Sequence, residues 1–236
     1  MKPAAFLDRD GVLNELVADP ASGIPESPLK PADVRLIEGA AAGAARLQQA
    51  GFALVCVTNQ PAAAKGIVSA AQLLAVHARV VELLRAAGVT LAASRLCLHH
   101  ELGVVPELSW PSACRKPAPG MLLDAAAKLG LDLTASWMVG DTDADILAGK
   151  AAGCRTVLLE HPASAHKRSS RVASDLLDAD LAGAVARLLG ERGTERDTRG
   201  DAECGAGGCG AAMRRGDGTA TSAGGRRGEW PGGRAR

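Results

Sequence analysis

The sequence predicts an α/β protein built on a doubly wound parallel sheet. Two observations carry that prediction. Short apolar runs alternate with helical stretches over the first 190 residues, and the polar, chemistry-bearing motifs sit directly after those runs or at the start of a helix.

The apolar runs Pro3–Leu7, Ala53–Val57, Arg95–Leu98, Trp137–Val139 and Thr156–Leu159 have the length and continuity of strands buried on both faces. Between them, Ser69-Ala70-Ala71-Gln72 has the pattern of a capping box. Leu73, Val76, Val80 and Leu84 follow it at helical spacing. A Leu- and Ala-rich stretch, Met121–Leu129, stops at Gly130, and a helix after Asp141 stops at Gly153; both glycines suit a C-terminal cap. The segment Asn14–Pro31 is rich in proline and turn residues and reads as a loop.

Composition changes after Gly190. Residues 191–236 are mostly Gly, Ala, Arg, Thr and Asp, with too little bulky apolar surface to offset the entropy of ordering, so a disordered tail is expected there beside a folded domain over 1–190. Cys204 and Cys209 fall in the tail, where two thiols without further ligands make a poor metal site. Formal net charge is +1, which gives no electrostatic case for nucleic acid or an anionic membrane as partner. The few apolar residues before Asp8 are too short for a signal peptide, and no apolar run approaches the ~20 residues of a membrane span. A cytoplasmic monomer with reduced thiols is the expectation.

In a doubly wound sheet, ligands bind at the carboxyl ends of the strands. That rule gathers four distant motifs. Asp8 and Asp10 end the first strand. Thr58-Asn59-Gln60 ends the Ala53–Val57 strand. Arg115-Lys116 precedes a helix, and Gly140-Asp141 ends the Trp137–Val139 strand. At an effective dielectric near 20, two carboxylates ~4 Å apart repel by about 4 kcal/mol, so such a cluster calls for a divalent cation, and all-oxygen ligands favour magnesium. A carboxylate can act as a covalent nucleophile, and a neighbouring carboxyl can protonate a leaving oxygen and then activate water. Lys116 and the Thr58 hydroxyl suit phosphoryl oxygens. Any of these motifs alone could be a turn, a helix cap or a solvated charge pair.

Taken together, Phe6-Leu7-Asp8-Arg9-Asp10-Gly11, Val57-Thr58-Asn59-Gln60, Cys114-Arg115-Lys116-Pro117 and Gly140-Asp141 resemble the haloacid dehalogenase superfamily. Within it they are similar to the subgroup of D,D-heptose 1,7-bisphosphate phosphatases and histidinol-phosphate phosphatases. The resemblance covers roughly residues 4 to 188. It implies a Rossmann-like fold, an aspartyl-phosphate mechanism and magnesium. By it, Asp8 is nucleophile and metal ligand, and Asp10 is general acid/base and binds metal through its main-chain carbonyl. Asp141 completes the magnesium site, Thr58 and Lys116 hold the phosphoryl group, and Arg9, Asn59, Gln60 and Arg115 are substrate-binding candidates. The subgroup's structural zinc implies Cys97, His99 and Cys114 as ligands here, with Ser112 standing where a further cysteine is usual.

The intervals Asp8–Thr58 and Thr58–Lys116, of 50 and 58 residues, leave no room for a separate cap domain. An open site of this kind suits a small phosphorylated metabolite, and the resemblance points to a sugar bisphosphate, with histidinol phosphate as the alternative. Leu16-Val17-Ala18-Asp19 departs from the polar and aromatic pattern expected of a heptose-holding segment. A receiver-type phosphoacceptor domain also gathers aspartates, a threonine and a lysine. Its phosphorylated aspartate ends a mid-chain strand, whereas the Ala53–Val57 strand leads into Thr58 and the lysine precedes the last acidic cluster.

Overall fold

The computed structural model describes residues 1–19, 22–169 and 171–200, the last ten by backbone alone. Its strands are β1 (Lys2–Leu7), β2 (Val17–Ala18), β3 (Pro25–Glu26), β4 (Ala53–Asn59), β5 (Ala93–Cys97), β6 (Leu131–Gly140), β7 (Arg155–Leu159) and β8 (Leu176–Asp178). Its α-helices are α1 (Ala40–Gln49), α2 (Ala70–Ala86), α3 (Gly120–Leu129), α4 (Asp143–Ala152) and α5 (Leu181–Gly200). Six strands form one sheet in the order β5-β4-β1-β6-β7-β8, and all its pairings are parallel. From β1 the chain winds outward first through β4 and β5, then through β6, β7 and β8 on the other side. The order therefore reverses at β1, and the reversal opens a crevice at its carboxyl end.

Alternation along the central strands divides the core into two layers. Ala5 and Leu7 of β1 face the layer closed by α1, α2 and α5, with Trp137, Val76, Val80 and Leu188. Ala4 and Phe6 face the layer closed by α3 and α4, with Met138, Leu122 and Ala148. Both faces of β1 are thus sealed, which explains its continuous apolar run.

The predicted strands are present, several with wider bounds. β6 begins at Leu131 rather than Trp137; its first half pairs with Lys2 and Pro3, and the register shifts before Ala5 meets Trp137. Ser69 caps α2 by accepting from the Gln72 N–H (3.1 Å). Gly130 and Gly153 end α3 and α4 in the left-handed conformation, as expected. The Asn14–Pro31 loop contains the short antiparallel hairpin β2–β3. Helix α5 continues past the compositional break at Gly190, and 201–236, the rest of the expected tail with Cys204 and Cys209, lie outside the described residues. Among the described residues, no helix is long and apolar enough to cross a membrane.

Candidate active site

The carboxyl ends of β1, β4 and β6 converge. The Asp8 N–H donates to the Val139 carbonyl (2.9 Å), extending the β1–β6 ladder and setting Asp8 beside the Gly140-Asp141 turn. Two glycines allow the close approach. Gly11 has a φ of +83°, and a Cβ there would strike the Asp141 carboxylate. A Cβ on Gly140 would strike the Asp145 side chain.

Lys116 is the hub. Its Nζ lies 2.8 Å from Asp8 Oδ1 and 2.5 Å from Asp145 Oδ1, and it donates to the Val57 carbonyl at 2.8 Å. Burial works against its charge, but Asp145 and Asp8 outweigh that and hold its pKa above the usual lysine range. Asn59 fixes the backbone of Lys116 from both sides: its Nδ2 donates to the Lys116 carbonyl (2.9 Å), and its Oδ1 accepts from the Lys116 N–H (3.1 Å).

The carboxylates of Asp8, Asp141 and Asp145 come within 4.8 Å of one another. Burial, reinforced by Asp8 and Asp145, lifts Asp141 to about 8. Asp8 rises to about 6, burial and the neighbouring acids prevailing over Lys116. Asp141 Oδ1 is buried without a hydrogen-bond partner. Among the described residues, the buried Asp, Arg and Lys are Asp8, Asp10, Asp141, Asp145, Arg9 and Lys116, all within this cluster. With all four carboxylates ionised, as a bound cation would make them, they exceed the two cations by two negative charges, the charge that one divalent cation cancels. The oxygen donors and the orphaned Asp141 oxygen therefore fit a hard cation such as magnesium.

Asp10 is held differently. Arg9 donates through Nε to its Oδ1 (3.1 Å) and through Nη2 to its Oδ2 (2.9 Å). Asn14 Nδ2 donates to Oδ1 (2.9 Å) and Gln60 Nε2 to Oδ2 (2.7 Å). Burial pushes the Asp10 pKa up, but Arg9 and these hydrogen bonds carry it below the usual carboxylate value. Gln60 also donates to Thr58 Oγ1 (2.9 Å), which leaves the Thr58 hydroxyl proton free to point elsewhere.

The cluster opens into a cavity of about 310 Å³, whose walls include Asp8, Asp10, Thr58, Asn59, Arg115 and Asp141. Glu26 on β3 and Lys167 also line it and pair at 2.8 Å, so the Asn14–Pro31 loop reaches its mouth. Two substrate-binding candidates lie off the cavity wall. Arg9 is fully buried, turned under Asp10, and Gln60 is likewise buried against Asp10 and Thr58; neither lines the cavity. Arg115 does line it, half-buried, with Nη1 reaching the His99 carbonyl (3.4 Å).

Two further residues join the site without having been singled out from the sequence. Asp145 faces Lys116 with one oxygen, while the other accepts from Thr142 N–H (3.1 Å) and Oγ1 (2.6 Å). That Thr-x-x-Asp capping box is the signal in the sequence. Arg168 donates to the Asp141 carbonyl (3.2 Å) and to Ser164 Oγ (2.8 Å), steadying the turn from the far side; nothing local in the sequence marks it.

Cys97, His99 and Cys114 also meet, with His99 Nδ1 3.9 Å from Cys97 Sγ and 3.7 Å from Cys114 Sγ. Ser112 Oγ lies 3.0 Å from Cys114 Sγ. Burial raises the Cys97 thiol to about 12.

Comparison with known proteins places this geometry. A family described as HAD-hydrolase-like matches residues 113–179. A D-glycero-beta-D-manno-heptose-1,7-bisphosphate 7-phosphatase of Mesorhizobium japonicum is 42% identical over 154 residues, covering 64% of this chain and 66% of that protein. The protein of the same name from Rhodopseudomonas palustris is 37% identical over 152 residues, covering 64% of this chain and 80% of that one. The crystal structure of D,D-heptose 1,7-bisphosphate phosphatase from B. bronchiseptica, complexed with magnesium and phosphate, superposes with a TM-score of 0.67 at 30% identity, covering 81% of this chain and 99% of that one. The chain belongs to the haloacid dehalogenase-like hydrolases, in the group that holds the heptose bisphosphate phosphatases.

Proposed function

We propose that this protein is a magnesium-dependent phosphomonoesterase working through an aspartyl-phosphate on Asp8, with D-glycero-D-manno-heptose 1,7-bisphosphate as substrate and the 7-phosphate as the group removed. The observation that carries the chemistry is the buried cluster of four carboxylates and two cations, two negative charges in excess when all are ionised, at the floor of an open cavity. The substrate rests on the names of the relatives.

Asp8 and Asp141, with the Asp10 main-chain carbonyl, are the residues that would hold magnesium, and Asp145 adds a third carboxylate beside them. When bound, the ion supplies positive charge for the phosphoryl oxygens. The chain's own residues do the rest. Asp8 Oδ1 accepts from the Arg9 N–H (2.7 Å) and from Lys116, so Oδ2 is left to attack phosphorus. The Thr58 hydroxyl, turned by Gln60, donates to a phosphoryl oxygen, and Arg115 at the wall contacts the remainder of the substrate. Asp10 lines the cavity and is the residue proposed to exchange protons with the leaving oxygen and with the water that cleaves the aspartyl phosphate; to hold the first of these protons it must release one of its four donors.

Zinc is proposed at Cys97, His99 and Cys114, with Ser112 or solvent as fourth ligand, holding the loop that leads into Arg115-Lys116. The site lies wholly within residues 1–190, so a single copy of that unit suffices for catalysis, and the cytoplasm is its proposed location. Turnover of heptose 1,7-bisphosphate, histidinol phosphate and a panel of sugar monophosphates with magnesium tests the reading. Preference for the bisphosphate supports it; turnover of neither the bisphosphate nor histidinol phosphate would remove the substrate assignment and leave the chemistry.

A further inference from the structure

We infer that Lys65 is a specificity-determining residue: with Arg115 it holds a second phosphate on the substrate, the one that is not removed. This rests on the phosphatase reading proposed above and names what reads the far end of its substrate.

The cavity separates its charges by burial. Asp8, Asp10, Asp141, Asp145 and Lys116 are all buried. The more exposed lining holds three cations, Lys65, Arg115 and Lys167, against one acid, Glu26. Glu26 is taken by Lys167 at 2.8 Å. Lys65 and Arg115 remain, and among the described residues neither has an acid within ion-pair distance. The Lys65 ammonium makes no hydrogen bond there, and the Arg115 guanidinium reaches only the His99 carbonyl (3.4 Å). The fold hangs both cations on one segment. After β4 the chain turns over 61–66, where the Lys65 N–H donates to the Pro61 carbonyl (2.9 Å) and the Gly66 N–H to the Ala63 carbonyl (3.0 Å). Gly66 closes that turn with a φ of +67°. The Ala64 carbonyl then accepts from the N–H groups of Val104 (2.7 Å) and Val105 (3.0 Å), a few residues from the His99 carbonyl that Arg115 touches. Lys65 thus combines a fixed backbone with a free ammonium.

Two like charges lining one cavity repel each other, and an anion placed between them removes that cost. A phosphate dianion matches both charges, whereas a carboxylate matches one. Thr58 and Lys116 already serve the phosphoryl group being transferred, so the Lys65–Arg115 pair is left for a second anionic group. The same pair works against a positively charged substrate end. Histidinol phosphate carries an amine that is protonated at neutral pH, so the lining favours a bisphosphate over it.

The test measures kcat/KM for heptose 1,7-bisphosphate and heptose 7-phosphate, the same ester with and without the second phosphate, using the full chain with magnesium. Wild type should favour the bisphosphate. Lys65→Met should cut that preference by about tenfold, the worth of one hydrogen bond to a charged group, and through KM rather than kcat. Lys65→Arg should keep the preference and Lys65→Glu should lower it further. Because Lys65 is exposed, raising salt from about 50 to about 300 mM should shrink the preference more in wild type than in Lys65→Met. Equal losses on the two substrates, or an unchanged preference in both Lys65→Met and Lys65→Glu, would overturn the inference. If neither heptose ester is turned over, fructose 1,6-bisphosphate and fructose 6-phosphate are compared as competitive inhibitors of p-nitrophenyl phosphate hydrolysis. Tighter inhibition by the bisphosphate, largely lost in Lys65→Met, would drop the sugar assignment and keep the second-phosphate site. Equal inhibition of wild type by the two would overturn the inference while the phosphatase chemistry stands. No hydrolysis of p-nitrophenyl phosphate or of either heptose ester would remove the phosphatase reading and the inference together.

Discussion

Replacing Lys116 by Met puts the charge arrangement under direct strain. The ammonium joins Asp8, Asp145 and the Val57 carbonyl at 2.8, 2.5 and 2.8 Å and is almost fully buried. Removing one partner from a buried ion pair costs about 3–5 kcal/mol, because the remaining charge stays desolvated. For a chain of this size, each kcal/mol corresponds to about 2–4 °C in Tm. The variant should therefore melt about 6–20 °C below wild type in EDTA near pH 8. Acidification to about pH 5.5 should narrow the gap, since Asp8, already raised to about 6 with Lys116 present, then protonates and needs no cation. Scanning calorimetry at the two pH values checks both parts. A loss below about 2 °C near pH 8, or a gap that widens on acidification, would refute the reasoning.

Further outcomes follow from the same geometry. In the metal-free protein, Asp8 and Asp141 have folded pKa values of about 6 and about 8, above the usual carboxylate value. Their contribution to stability is therefore present at low pH and lost as pH rises through those values; Tm in EDTA should fall across that window, and magnesium should flatten the fall. Ser112→Cys should complete the fourth position of the zinc site proposed at Cys97, His99 and Cys114, so that zinc content after dialysis against a weak chelator exceeds that of wild type. Ending the chain after Gly200 should leave turnover unchanged, as every residue placed in the site lies before it.

How much of this was legible in the sequence depended on where each residue sat. Asp8, Thr58 and Asp141 could be placed because each directly follows an apolar strand, and strand ends share one edge of a parallel sheet. Arg9 could not, because period-two alternation ends with the strand and the turn after it decides which way the next side chain faces. Asp145 was hidden by doing two jobs: its capping of α4 accounts for it locally, while its pairing with Lys116 is visible only across the fold. Strand β8 and the β2–β3 hairpin, of three and two residues per strand, are too short for any periodicity to register. The start of β6 mixes Leu131 and Leu133 with polar residues and is held by pairing with β1 as well as by those two leucines, so it lacks the continuous apolar run that marks Trp137–Val139.

The central claim is that Asp8 becomes the phosphoryl carrier. The most direct measurement is mass spectrometry of Asp10→Asn protein, acid-quenched during reaction with p-nitrophenyl phosphate and magnesium, since this variant should form the phosphoenzyme and hydrolyse it slowly. The account predicts one added phosphoryl group on the peptide containing Asp8, labile to hydroxylamine and absent when Asp8 is also changed to Asn. A phosphoryl group on any other residue, or product release matching wild type with Asp8 replaced, would contradict it.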